Sequence, residues 1–159
     1  MNPFSWLLNL WSKPVQDSVP ETPAWPPSDP ATVLACTAWM EARSGGKDGM
    51  QSVLNVVLNR AKHGGWWGDT PVTVCLKPYQ FSSWNDGSTQ VPLVREAMTN
   101  GDTSYAVALR LADLALKMML PDMTYGADSY YATRIPPPTW TLKAIFTVEI
   151  AGQRFFRTV

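Results

Sequence analysis

Ala38-Trp39-Met40-Glu41-Ala42-Arg43-Ser44-Gly45-Gly46 is the stretch on which the reading of this chain turns. An apolar run ends in one glutamate, and a glycine pair follows. Working back from it, Asp29 and Pro30 suit the cap and first position of a helix, and Gly45-Gly46 suits its stop, so a helix is expected over 30–43. At about 100° per residue, Val33, Leu34, Thr37, Ala38 and Met40 share one face, and Glu41 falls on it. An acid on an apolar stripe requires a reason. Either Glu41 pairs with an arginine such as Arg43 or Arg60, or it is a working carboxyl. The chain has four glutamates (Glu21, Glu41, Glu96 and Glu149), and Glu41 alone is drawn to such a face and left beside a loop.

Working forward, a second helix is expected over 48–62, with Asp48 and Gln51 as a variant capping box. Met50, Val53, Leu54, Val57 and Ala61 form its core stripe, Asn59-Arg60 lie on its other side, and Gly64-Gly65 end it. Residues 64–90 read as loop-rich. They carry Trp66, Trp67, Tyr79, Phe81 and Trp84 among Gln80, Ser82 and Asn85, either as a binding surface or as a cover for the core. Helices over 91–99 and 103–119 follow as scaffold. Asp102 caps the latter, Tyr105, Leu109, Ala112, Leu116 and Met119 form its stripe, and Pro121 ends it. A turn at 125–128 leads into a short strand. Pro136-Pro137-Pro138-Thr139-Trp140 is a stiff connector. Two alternating segments, 144–150 and 154–159, meet at Ala151-Gly152 in a hairpin.

Composition narrows the chemistry. The 159 residues are 45% apolar and 16% charged, with Lys+Arg and Asp+Glu balanced at 13 each, which fits one globular domain and gives no bulk attraction to nucleic acid. The single histidine, His63, and the lack of His-Glu-x-x-His leave no zinc-peptidase pattern. Cys36 and Cys75 form no metal pattern and read as reduced and buried, with pairing left open. Eight tryptophans and five tyrosines supply core or sugar-ring platforms.

Residues 1–13 are apolar but shorter than the roughly 20 residues of a membrane span, and lack the features of a signal peptide. Residues 14–30 hold six prolines and read as an extended tether. The expected organisation is therefore an apolar segment and tether over 1–28 and one domain over 29–159. The first segment is a candidate contact for a membrane interface or for a partner.

Glu41-Ala42-Arg43, Gly49-Met50-Gln51 leading to Asn59-Arg60, Val74-Cys75, Gln80-Phe81-Ser82, Gly126-Ala127-Asp128-Ser129-Tyr130-Tyr131, Trp140 and the Ile150-x-Gly152 hairpin together resemble the SleB/CwlJ-type cell wall hydrolase family. The resemblance spans about residues 31–157. It implies an α+β, mainly α, lysozyme-like fold with a small C-terminal β element. It implies cleavage of peptidoglycan glycan strands between N-acetylmuramic acid and N-acetylglucosamine, with Glu41 as the acid and no metal or cofactor. Two departures stand out: Ser44-Gly45-Gly46-Lys47 where the family has a further Gly-Glu, and Asp128-Ser129 where it often has Thr-His.

An apolar surrounding disfavours a charged carboxyl, so Glu41 suits an acid that protonates a leaving oxygen. Two-carboxylate hydrolysis requires a second acid. Asp69, Asp86 and Asp128 all sit in turn-like contexts. One solitary acid favours a lytic transglycosylase, in which Glu41 is first acid and then base. Gln80, Ser82 and Ser129 are expected to bond N-acetyl groups, and Phe81, Tyr130 and Tyr131 to stack on sugars. Muramidase-type hydrolysis, a non-catalytic peptidoglycan-binding virion module and a stem-peptide peptidase are the alternatives. The setting the resemblance implies is a monomeric phage lysin, made in the host cytoplasm and acting on the wall, or carried in the virion and docked on a phage structural protein through residues 1–28.

Overall fold

The structure, a computed structural model, describes residues 24–158. The apolar segment 1–13, most of the proline-rich stretch and Val159 lie outside the described residues. Five α-helices come first: α1 (Pro30–Ala42), α2 (Gly46–His63), α3 (Pro71–Leu76), α4 (Gln90–Thr99) and α5 (Thr103–Leu116). A small antiparallel sheet follows, with β1 (Ser129–Ala132), β2 (Ile145–Ile150) and β3 (Gln153–Arg157) in the order β1-β3-β2. The domain is therefore α+β and mainly α.

Helix α1 starts as expected: the Asp29 carboxylate accepts from Thr32 N–H at 2.8 Å, and Pro30 opens the helix. It is not the one-sided helix that its stripe implied. Every residue from Val33 to Met40 is buried, because α5, α2, α3 and α4 all pack around it. A helix apolar on every side belongs in the centre of a fold. Helix α5 packs on it most extensively, and the buried residues of α5 are Tyr105, Ala108, Leu111, Ala112 and Ala115. The expected stripe was rotated: Leu109, Leu116 and Met119 are exposed. Small side chains let the two backbones approach, and that outweighs the larger leucines on the neighbouring face. The helix also ends before Pro121. Met118 takes a left-handed φ of 57°, and Met119 N–H reaches back to Leu114 O at 2.9 Å.

Gly45-Gly46 makes the turn between α1 and α2. Gly46 has φ 62°, and a Cβ on Gly45 would come within 2.9 Å of Ala151 Cβ, so the hairpin tip docks on this corner. Helix α2 begins two residues earlier than expected, with Gly45 at the N-cap position and no side-chain cap bond; the Asp48–Gln51 capping box does not form. Gln51 and Asn55 instead donate to Pro121 O at 3.0 and 3.1 Å, and Asn59 donates to Ala127 O at 2.9 Å. This row of amides holds the segment that enters β1. Arg60, expected on the outer side, is buried, and its Nε donates to Asp128 O at 2.6 Å. The β2–β3 turn has φ 48° at Ala151 and 76° at Gly152, as a two-residue hairpin loop requires.

Cys36 and Cys75 are both free and buried. Burial pushes their thiols from an ordinary 9.0 up to about 11 and about 12. Their folded values are raised, so this contribution to stability is complete below about pH 9 and is lost as pH climbs through 11–12. The native protein is expected to leave a disulfide-type thiol reagent unreacted at pH 8, and to titrate two thiols once denatured. Rapid native labelling would contradict this burial.

Candidate active site

Three elements converge on Glu41. Helix α1 presents it at its last turn, just before the Gly45-Gly46 corner. A 3-10 turn over Ser82–Trp84 brings Ser83 Oγ to 2.6 Å from Glu41 Oε1. Strand β1 brings the Tyr130 hydroxyl to 3.2 Å from Oε2. Each carboxyl oxygen thus accepts one hydroxyl proton. The surroundings are more polar than an apolar stripe suggested. Glu41 is half-buried at a cleft of about 640 Å3, whose lining includes Arg43, Ser82, Ser88, Gln90 and Arg134. It is the only acid among the described residues that line this cleft.

Both hydroxyls are held from behind. Trp84 Nε1 donates to Thr37 Oγ1 at 2.9 Å, one turn before Glu41, and its ring stacks on Trp25 at 5.1 Å. Tyr130 leans on Phe155, whose ring is buried against α2. Burial, reinforced by the Glu41 carboxyl, raises the Tyr130 phenol well above its ordinary value, so it stays a proton donor in this hydrogen bond.

Neither proposed arginine partner forms an ion pair with Glu41; the described ion pairs are Lys117–Asp113 and Arg154–Glu149. Arg43 lies over the Trp39 ring at 4.1 Å and donates to Gln90 at 2.7 Å. Arg60 lies between the Trp67 and Phe81 rings, 4.4 and 5.3 Å from their centroids. Desolvation lowers its ordinarily very high value, and the nearby Tyr130, Asp128, Cys75 and Glu41 oppose that shift.

The residues singled out from sequence divide clearly. Glu41 and Ser82 line the cleft, and Tyr130 touches Glu41. Phe81 is 2% exposed and backs Arg60, while Tyr131 is buried against Phe156 and Trp140, so neither ring is free to lie on a sugar. Gln80 is not among the cleft-lining residues, and Ser129 donates to Asp128 at 2.9 Å. Of the candidate second acids, Asp69 accepts from Gly65 N–H at 3.0 Å as a turn former, and Asp86 lines neighbouring depressions and not this cleft. Asp128 is fully buried, accepting from Thr158 N–H and Oγ1 and from Ser129. Sequence reasoning missed Ser88 and Gln90 on the cleft wall and, at the carboxyl itself, Ser83. The Ser82-Ser83 pair offers two hydroxyls in a row, and only the 3-10 turn selects which one meets Glu41.

Fold and site together define a mainly helical domain with a polar cleft centred on one carboxyl. The chain belongs to the Cell Wall Hydrolase family, whose model matches residues 44–156. The match covers most of the chain and begins just after Glu41. No curated protein and no solved structure gives a significant match. Family membership supports an enzyme that degrades the cell wall, with peptidoglycan as its polymer.

Proposed function

We propose that this protein cleaves peptidoglycan glycan strands at the bond from N-acetylmuramic acid to N-acetylglucosamine, as a lytic transglycosylase of lysozyme-like fold. The observation that carries this reading is the solitary Glu41, held by Ser83 and Tyr130 in a cleft lined by no second acid among the described residues. Glycosidic cleavage needs an acid at the leaving oxygen and passes through an oxocarbenium-like state. Ser83 binds Oε1 closely, so Oε2, with its longer bond to Tyr130, is the oxygen that exchanges the proton. In the first half-reaction Glu41 protonates the glycosidic oxygen as its bond to C1 breaks. In the second, the Glu41 carboxylate takes the proton of the muramic 6-hydroxyl, whose oxygen closes on C1. The product is a 1,6-anhydro ring. The net reaction consumes no water, and Glu41 ends protonated again.

Ser82, Ser88 and Gln90 offer the polar groups for N-acetyl recognition, in place of Gln80 and Ser129. Phe81 and Tyr131 act from behind the wall of the site, positioning Arg60 and β1. The biological setting proposed with this activity is a phage lysin, which the sequence resemblance supports.

Mass spectrometry of a digest of purified sacculi tests the chemistry. Anhydro-muropeptides, one water lighter than their hydrolysed counterparts, are expected. A digest that contains only reducing muramic acid ends overturns the transglycosylase in favour of a muramidase.

A further inference from the structure

The Glu41 cleft continues beyond its own rim. It shares Gly87 and Ser88 with a second depression of about 430 Å3, which Trp25 and Trp84 also line. That depression shares Leu76, Trp84, Asn85 and Asp86 with a third, of about 400 Å3, bounded by Lys77, Pro78 and Tyr79. At this far end the backbone does something unusual. Gln80 N–H bonds to Lys77 O at 3.1 Å and closes a tight turn with Pro78 in second place and Tyr79 in third. The third residue of such a turn has positive φ and is ordinarily glycine or asparagine. Here it is Tyr79, at φ 65°, with 88% of its surface exposed. Its ring therefore adds almost nothing to packing, while its backbone is strained. Strain at an exposed aromatic points outward, to a ligand. Lys77, which opens this turn, holds its Nζ 4.7 Å over the ring of Trp66, which is also exposed.

We propose that this chain of depressions is a distal glycan subsite, in which Tyr79 stacks on a sugar ring of the same strand whose scissile bond lies at Glu41. The inference rests on the glycan-cleaving reading and extends it: the preferred substrate is a long strand. Tyr79 is remote from the reacting atoms, so it acts on binding and not on turnover.

Peptide-free glycan strands, sorted by length, provide the test. On long strands, Tyr79→Ala is expected to raise KM roughly three- to tenfold, the range of one aromatic contact, with kcat unchanged. On the shortest cleavable strands KM is expected to stay at the wild-type value, and Tyr79→Phe is expected to restore long-strand KM. In a Glu41→Gln background, long-strand binding followed by tryptophan fluorescence is expected to weaken by the same factor on adding Tyr79→Ala. Unchanged KM on long strands, or equal losses on short and long ones, overturns the subsite. If the wild type cleaves no strand of any length, the glycan-cleaving reading fails; the fluorescence comparison still decides whether Tyr79 binds glycan.

Discussion

Glu41→Gln is expected to remove the clearing of a purified peptidoglycan suspension, with a rate loss on the order of 10²–10⁴-fold, the range a positioned acid–base group contributes. Glutamine is nearly isosteric, and both partners of Glu41 are hydroxyls that can donate or accept, so the network can re-form around an amide. The melting temperature should therefore stay close to wild type, and activity and stability separate. Ser83→Ala is expected to act in the same direction but less strongly. It removes the shorter of the two carboxyl contacts and leaves the acid in place, so kcat falls while KM holds. Full lysis by Glu41→Gln would end the assignment.

Asp128→Ala is expected to do the opposite, costing stability first. The carboxylate is fully buried and satisfies Thr158 N–H, Thr158 Oγ1 and Ser129 Oγ. Its removal takes away the shared partner of these donors at the join between β1 and the end of β3; Thr158 is exposed and can turn to water, so the cost is about 1–3 kcal/mol. For a domain of this size that is a fall of roughly 4–10 °C in thermal midpoint by circular dichroism. Activity should decline with folded fraction, because β1 carries Tyr130. An unchanged midpoint with abolished activity would instead make Asp128 a reacting carboxylate and reopen the two-acid mechanism.

The local signals of this chain were legible wherever one residue type answers one backbone demand. Asp29 before Pro30, Asp102 before α5 and Ala151-Gly152 between two alternating segments each specify an end or a turn from within a few residues. Helix α3 is a fair counter-example. Its six residues are too few for a periodic signal, yet the Thr70 and Thr73 side chains form a reciprocal capping box that starts it. The stripe on α5 failed for another reason. Periodicity lists the faces of a helix, but which face meets the core depends on the partner, and α1 needed alanines.

The candidate site divides along the same line. By itself, the sequence determined that Glu41 closes an apolar helix at a glycine corner, that no histidine cluster competes with it, and that Asn59-Arg60 and Gly126–Tyr131 belong to one family pattern. Those facts are local or compositional. Only the tertiary structure decided that Ser83 and not Ser82 bonds the carboxyl, that Tyr130 faces it while Tyr131 turns inward, and that Phe81 is buried. In a strand, neighbouring side chains point to opposite faces, and in a 3-10 turn each residue points to a different side. Which of two adjacent, chemically equivalent residues reaches Glu41 is therefore set by how distant segments dock, through the α2 amides, the Trp84–Thr37 bond and the hairpin tip packed on Gly45.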